Sequence, residues 1–321
     1  MSDGRIKVLY IVGNGRSGST LLNTVLGQLD GYFAMGELRR IWDRAILENF
    51  LCGCSRPFRE CEQWRAIFDE AFGGMDEMLA ARMAAHREAM TQTKHLPGLI
   101  WGRGRPLSQA AQAYVDTLAT LYGAVQRVTG CQVMVDASKW PMYAIMLDRI
   151  PQLEMFYVHL VRDPRAVAFS WARVKEREPG VQIFRQGAFR SSMYWVTWNP
   201  AITYLWKGAT EDTEITEVSK KKRHYLFMRY EDFAREPRQW VQRMVDLVGA
   251  PVAELPFVDE QTLRLRQTHS VAGNEARLAK ESLTIRFDDE WRRQIPAAKK
   301  WLVTAMTWPW LWRYGYWGRG K

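Results

Sequence analysis

The chain has 321 residues, 47% hydrophobic and 25% charged, an ordinary globular composition with room for one large α/β domain or two small ones. Its net charge of +10 favours anionic partners, whether nucleic acid, an acidic membrane surface or a polyanionic small ligand, but no finger, RNP or basic heptad motif singles out nucleic acid. Four cysteines are too few for a disulfide scaffold, and no apolar stretch is long enough to span a membrane or act as a secretory leader, so a cytoplasmic location is expected.

The first unit reads as a strand over 6–12, the loop "GNGRSGST" over 13–20 and a helix from about 19 to 29. Leu21, Leu22, Val25, Leu26 and Leu29 share one face of that helix. Helices are predicted over 39–50, 61–72, 75–90 and 107–129, with a mobile break at "HLPGLIWGRGRP" before the last. "QVMVD" and "EMFYVHLV" are nearly continuous in apolar and β-branched residues, as strands covered on both faces are, and "HYLFMRY" at 224–230 is another strand. Strands alternating with helices predict an α/β fold: a P-loop-like open parallel sheet flanked by helices. All 321 residues are read as one domain, with a helical insertion at about 39–130 where acceptor choice would reside.

Three segments stay open to more than one reading. "LCGCSRPFREC" gathers Cys52, Cys54 and Cys61. They read as buried free thiols, a disulfide, or a metal site with Cys131 as the fourth thiolate; the spacing matches no strong zinc pattern, and no metal is assigned. "TEDTEITEVSKKKR" at 210–223 reads as a solvated loop. The tail over 301–321 is rich in tryptophan; its rings either pad the domain or form a peripheral membrane patch with Arg313, Arg319 and Lys321.

Ligands of open parallel sheets bind beyond the carboxyl ends of the strands. "VLYIV" is followed there by GNGRSGST, "VMVD" by "ASKWP" with Lys139, and "FYVHLV" by "RDPRAVAFSW" with Arg162. The glycine loop offers backbone N–H groups and the positive end of a helix, a ready anion site. It departs from Walker A, because Ser19 stands where the essential lysine belongs and the cation has moved to Arg16. Arg162 and Ser170, two helical turns further on, are placed to grip one phosphate together.

These residues carry a family resemblance. "GRSGSTLL" resembles the 5′-phosphosulfate loop of sulfotransferases that use 3′-phosphoadenosine 5′-phosphosulfate (PAPS), and "LVRDPRAVAFSW" resembles their 3′-phosphate motif. "VDASKWP", "RYEDFAREP" and "HSVAGNEARL" are similar to further segments of that family, the last to a loop closing over the donor. An arginine in the first loop is shared with the bacterial, carbohydrate and tyrosylprotein members. The resemblance implies a PAPS-dependent sulfotransferase that needs no metal, with the donor held by Gly15, Arg16, Ser17, Gly18, Ser19, Thr20, Arg162, Ser170, Gly273, Asn274 and Arg277. "GNEAR" departs from the "GNP" form of the late motif. Arg16 and Lys139 are the candidates for stabilising charge on the leaving phosphate, and Glu37, in a "GE" segment like that of tyrosylprotein sulfotransferases, is the candidate general base.

Other groups compete for these roles or have bland readings. His95 and His269 are alternative bases, while His159 reads as a core imidazole. Glu231 and Asp232 read as helix caps, and Trp195 and Asn199 as core. Arg39, Arg40, Arg103 and Arg105 are candidates to greet an acidic small-molecule, glycan, lipid or peptide acceptor. Two other functions compete with sulfuryl transfer: a P-loop kinase or nucleotide triphosphatase, for which Asp136 is the sole candidate magnesium ligand, and a non-enzymatic binder of anionic ligands.

Overall fold

The computed structural model describes residues 4–101, 106–173, 186–207, 224–273, 278 and 281–317. The expectations for Arg103, Arg105, Asn274, Arg277, Arg319, Lys321 and the 210–223 segment lie outside them.

Five strands form a parallel sheet: β1 (Ile6–Gly13), β2 (Tyr32–Gly36), β3 (Val133–Lys139), β4 (Leu153–Val161) and β5 (His224–Arg229). Their order is β2-β3-β1-β4-β5, so β1 is central with β3 and β4 beside it. Strand period two decides the layers: Val8, Tyr10 and Val12 of β1 enter one core and Leu9 and Ile11 the other. The second face is covered by α1 (Ser19–Leu26) and by α10 (Pro237–Val248), the latter burying Trp240, Val241, Met244, Val245 and Val248. Each such side chain contributes about 1.5–3 kcal/mol through area removed from water.

The first face carries the insertion: α2 (Glu62–Phe72), α3 (Glu77–Met90), α4 (Leu96–Trp101) and α5 (Gln109–Thr129), followed beyond β3 by α6 (Pro141–Leu147). Local chemistry bounds these helices. The Asp76 side chain accepts from Met78 N at the start of α3, Ser108 from Ala111 N at the start of α5, and Gly130 closes α5 in the left-handed region. After β4 come α7 (Pro164–Ala172), α8 (Ala188–Ile202), α9 (Tyr230–Arg235), a hairpin of β6 (Thr262–Arg264) and β7 (Ser282–Thr284), α11 (Trp291–Gln294) and α12 (Ala297–Arg313).

Three differences from the sequence expectation bear on the site. The first helix ends at Leu26, and the chain turns directly into β2, an edge strand absent from the sequence reading. The helix expected over 39–50 is instead a 3₁₀ turn, Leu38–Arg40, and a π-helical turn, Ile41–Leu47; the wider turn buries Ile41, Trp42, Ala45 and Ile46 together. The break expected after residue 95 contains α4. In the aromatic tail Val303, Thr307, Leu311 and Tyr314 are buried and pad the domain, while Trp301, Trp308 and Trp312 are exposed on α12. None of the described helices is long and apolar enough to cross a membrane.

Candidate active site at the strand ends

Register brings the three cationic motifs to one rim. Val12 of β1 lies opposite Lys139 of β3, and Gly13 lies opposite Leu160 of β4, two residues before Arg162. The glycine loop leaves this rim under tight constraint. Gly18 adopts φ 94, and a Cβ there would lie 2.4 Å from the Tyr230 ring; a Cβ on Gly15 would lie 2.9 Å from Trp171. Arg16 and Lys139 both hold left-handed backbones, at φ 67 and φ 69, a conformation that costs a non-glycine residue about 1–3 kcal/mol.

The loop is also open to a ligand chemically. Ser17, only 1% exposed, has a hydroxyl that meets no hydrogen-bond partner among the described residues. Burying an unsatisfied hydroxyl costs about 1–3 kcal/mol, which an anionic oxygen in the loop would recover. Ser19 and Thr20 open α1, whose unpaired backbone N–H groups face the same loop. Arg16 lies over the Trp171 ring at 5.0 Å, so its guanidinium has an apolar floor. Trp171 was missed by the sequence reading, although it directly follows Ser170 in the quoted motif; Ser170 itself is half-buried in the last turn of α7.

Arg162 joins the two expected donor motifs. Its Nη1 donates to the carbonyl of Arg16 at 3.2 Å, its Nη2 pairs with Asp288 at 2.9 Å, and its guanidinium lies 4.4 Å from the Tyr230 ring. Trp195 Nε1 donates to the Arg162 carbonyl, which fixes the strand end from behind. No local pattern marks Asp288, which comes from a loop 126 residues away. Glu231 does more than cap: its Oε1 accepts from Asp163 N at 3.0 Å and its Oε2 from the Tyr316 hydroxyl at 2.8 Å, with burial pushing the carboxyl up. It thereby holds the turn that carries Arg162 into α7. Asp232 pairs instead with Arg229.

On the β3 side, Lys139 Nζ meets Glu37 Oε1 at 2.6 Å. Burial pushes the Glu37 carboxyl up, but Lys139 and Arg39 outweigh it and hold the group below its ordinary value; burial lowers Lys139 against the pull of Glu37. Glu37 is positioned through its backbone as well. Its N–H donates to the Val271 carbonyl at 2.8 Å, and Val271 N donates to the Met35 carbonyl, so the late loop is stitched to the end of β2. Thr20, Gly36, Glu37, Ala137, Ser270 and Gly273 line the cleft left between them. The structure thus gathers Arg16, Glu37, Lys139, Arg162 and Gly273 around one rim.

Several expectations change. Asp136 is wholly buried and accepts from Tyr122 Oη at 2.5 Å and Ser138 N at 2.8 Å; burial raises it to about 6, and both of its oxygens are engaged within the core. His159 is, as expected, a core imidazole, between Tyr225 Oη at 2.7 Å and Asn199 Oδ1 at 3.0 Å, and burial lowers it to about 4. Arg39 is buried over the Trp140 ring at 4.1 Å and Arg40 pairs with Asp43, so neither waits in solvent for an acidic acceptor. His95 is exposed on the turn before α4. His269 does not meet the glycine loop: its Nδ1 lies 3.2 Å from Cys61 Sγ. It, and not Cys131, completes the cluster of Cys52, Cys54 and Cys61.

These features define a class: an open parallel α/β protein whose central strand ends carry a glycine loop and flanking cations suited to an anionic ligand. The model of the sulfotransferase family matches residues 9–254, and the chain belongs to that family. Carbohydrate sulfotransferase 6 of Homo sapiens and carbohydrate sulfotransferase 5 of Mus musculus are each 26% identical to it over 170 residues, 49% of this chain and 40% of theirs. The chain therefore spans well under two thirds of the length of these relatives. Among solved structures, a sulfotransferase domain from the Synechococcus PCC 7002 olefin synthase is similar with a TM-score of 0.49 and 20% identity, over 96% of both chains.

Proposed function

We propose that this protein transfers a sulfuryl group from PAPS to a hydroxyl or amine of an acceptor. The observation that carries the reading is the 3.2 Å bond from Arg162 to the carbonyl of Arg16, which joins the expected 3′-phosphate motif to the expected 5′-phosphosulfate loop. PAPS supplies an activated sulfuryl group on a phosphate leaving group. The loop from Gly15 to Thr20, with its unpartnered Ser17 hydroxyl, receives the 5′ end, and Arg162 with Ser170 receives the 3′-phosphate. Gly273, Asn274 and Arg277 belong to the segment proposed to close over the donor.

Glu37 and Lys139 divide the remaining work. As the bond between sulfur and the acceptor oxygen forms, that oxygen acidifies and its proton passes to Glu37, a carboxylate at neutral pH because Lys139 holds it so. Lys139 and Arg16 offset the charge that gathers on the leaving phosphate oxygen; arginine does so by charge and hydrogen bonds, since it keeps its proton. If Lys139 turns from Glu37 to the donor, the carboxyl loses its main counter-charge while burial, Arg39 and Arg40 still act on it, and it becomes a stronger base, so donor binding and base strength are linked. The first acceptor class to offer is a glycan hydroxyl, since two matched relatives are named carbohydrate sulfotransferases; small-molecule, lipid and peptide hydroxyls follow. The hydrogen bonds that occupy Asp136 speak against the kinase reading.

Calorimetric titration with 3′-phosphoadenosine 5′-phosphate, and separately with ATP and magnesium, tests the proposal on the native chain and on Arg162→Ala. Saturable binding of the bisphosphate that is tighter than that of ATP and is lost in the variant is expected. Preference for ATP with magnesium, or indifference to Arg162, would overturn it.

A further inference from the structure

We infer that Cys52, Cys54, Cys61 and His269 form a structural zinc site that pins the late loop to the helical insertion. The four ligand atoms all lie within 4.8 Å of one another, and Cys61 Sγ is 3.2 Å from His269 Nδ1. Zinc held tetrahedrally at about 2.3 Å from sulfur and 2.0–2.1 Å from nitrogen needs ligand atoms roughly 3.5–3.8 Å apart. The separations, from 3.2 Å to at most 4.8 Å, therefore bracket the binding geometry to within about an ångström.

The backbone is shaped to converge these groups. Cys52 N donates to the Arg56 carbonyl at 2.8 Å and Ser55 N to the Cys52 carbonyl at 2.9 Å, with Ser55 in the left-handed region at φ 65. That knuckle points three buried thiols inward from one loop. The fourth ligand arrives from 208 residues away and is held as firmly. The His269 carbonyl accepts from Trp64 Nε1 at 2.6 Å, Gly53 N donates to the Ser270 carbonyl at 3.0 Å, and Gln267 Nε2 donates to the Cys54 carbonyl at 3.1 Å.

A disulfide would use two of these groups and leave a thiol and an imidazole buried beside it. Zinc uses all four. Three thiolates and one imidazole are soft ligands in the number that zinc takes at closed sites, and protein atoms fill every position, so the ion has no place for water or substrate. Its effect would pass through the backbone: His269 is two residues from Val271, whose carbonyl accepts from Glu37 N. This inference does not depend on the transfer reaction proposed above.

Metal content settles it without an acceptor or a donor. The native chain, purified without chelators, is expected to carry about one zinc per molecule by inductively coupled plasma mass spectrometry. Cobalt exchanged for zinc should give the intense visible absorption of a tetrahedral thiolate site. Cys54→Ser and His269→Ala should each lose zinc to a chromophoric chelator at least tenfold more readily. Cys131→Ser, a buried cysteine outside the cluster, should match the native chain. Native protein with four reactive thiols that takes up no added zinc would overturn the inference, as would an intact mass showing a disulfide or zinc retention unchanged in folded Cys54→Ser and His269→Ala.

Discussion

Two ion pairs flank the strand that leads into the glycine loop, and they are built differently. Lys139 and Glu37 meet at 2.6 Å with side chains 10% and 20% exposed, and the pair is tied by backbone bonds to the late loop. Arg162 and Asp288 meet at 2.9 Å, but the carboxylate is 39% exposed on a surface loop. Removing one member of a buried pair strands a charge, whereas an exposed carboxylate can return to water at little cost. The comparison teaches that similar chemistry serves two ends. In the proposed reaction the inner pair sets the proton affinity of the base, and the outer one holds Arg162 until a phosphate of the donor displaces Asp288.

Abolishing the inner carboxylate is the severest test. Glu37→Gln should lower the initial rate of bisphosphate release from PAPS with acceptor present by about 10²–10⁴-fold, the range of a lost general base. Calorimetry should meanwhile show bisphosphate affinity within a few-fold of native; an unchanged rate would remove Glu37 from the chemistry.

Removing its partner should have a smaller effect with a distinctive sign. Lys139→Met leaves Glu37 half-enclosed without its main counter-charge, and urea denaturation at pH 7 should show a loss of about 3 kcal/mol. In the native protein the depressed carboxyl contributes stability that is present above its ordinary value of 4.5 and is lost as pH falls through the lower folded value. In the variant, burial still raises the folded value and only Arg39 and Arg40 remain to lower it, so ionised Glu37 contributes less stability. The deficit relative to native should therefore shrink as pH falls below about 4.5 and the native carboxylate is itself protonated. A deficit that is constant across that fall would show that Lys139 does not set the proton affinity of Glu37.

The outer pair should yield the smallest change, and an opposite one. Asp288→Asn frees Arg162 from its carboxylate and should tighten bisphosphate binding about twofold to fivefold, the scale of an exposed ion pair. Weaker binding would instead make Asp288 a positioning residue.

Legibility from sequence followed the range of the interactions. Strands β1, β3 and β4 announce themselves because burial on both faces demands apolar runs, and the cations that follow them share a rim through parallel register. The edge strand β2 escapes because its five residues are too few to show a period. Long-range partners leave still less trace. Asp288 gives no local sign of its bond to Arg162, and the imidazole that joins the cysteines stands 208 positions from Cys61, so Cys131 looks the better fourth member until the chain is folded. Arg39 and Arg40 read as exposed because charge predicts exposure, yet the Trp140 ring and Asp43 take them up. Glu231 reads as a cap because its bond to Asp163 spans 68 residues.

The phenol of Tyr316 has a consequence for how the protein matures. Its hydroxyl reaches the Val161 carbonyl at 3.2 Å and Glu231, and Glu231 in turn holds Asp163 beside Arg162. Every strand of the sheet, the glycine loop and both cations precede Tyr316 in the chain, yet the arginine turn lacks this support until Tyr316 is in place. The turn that carries Arg162 is thus completed only by a side chain that follows the late loop and the hairpin in the chain.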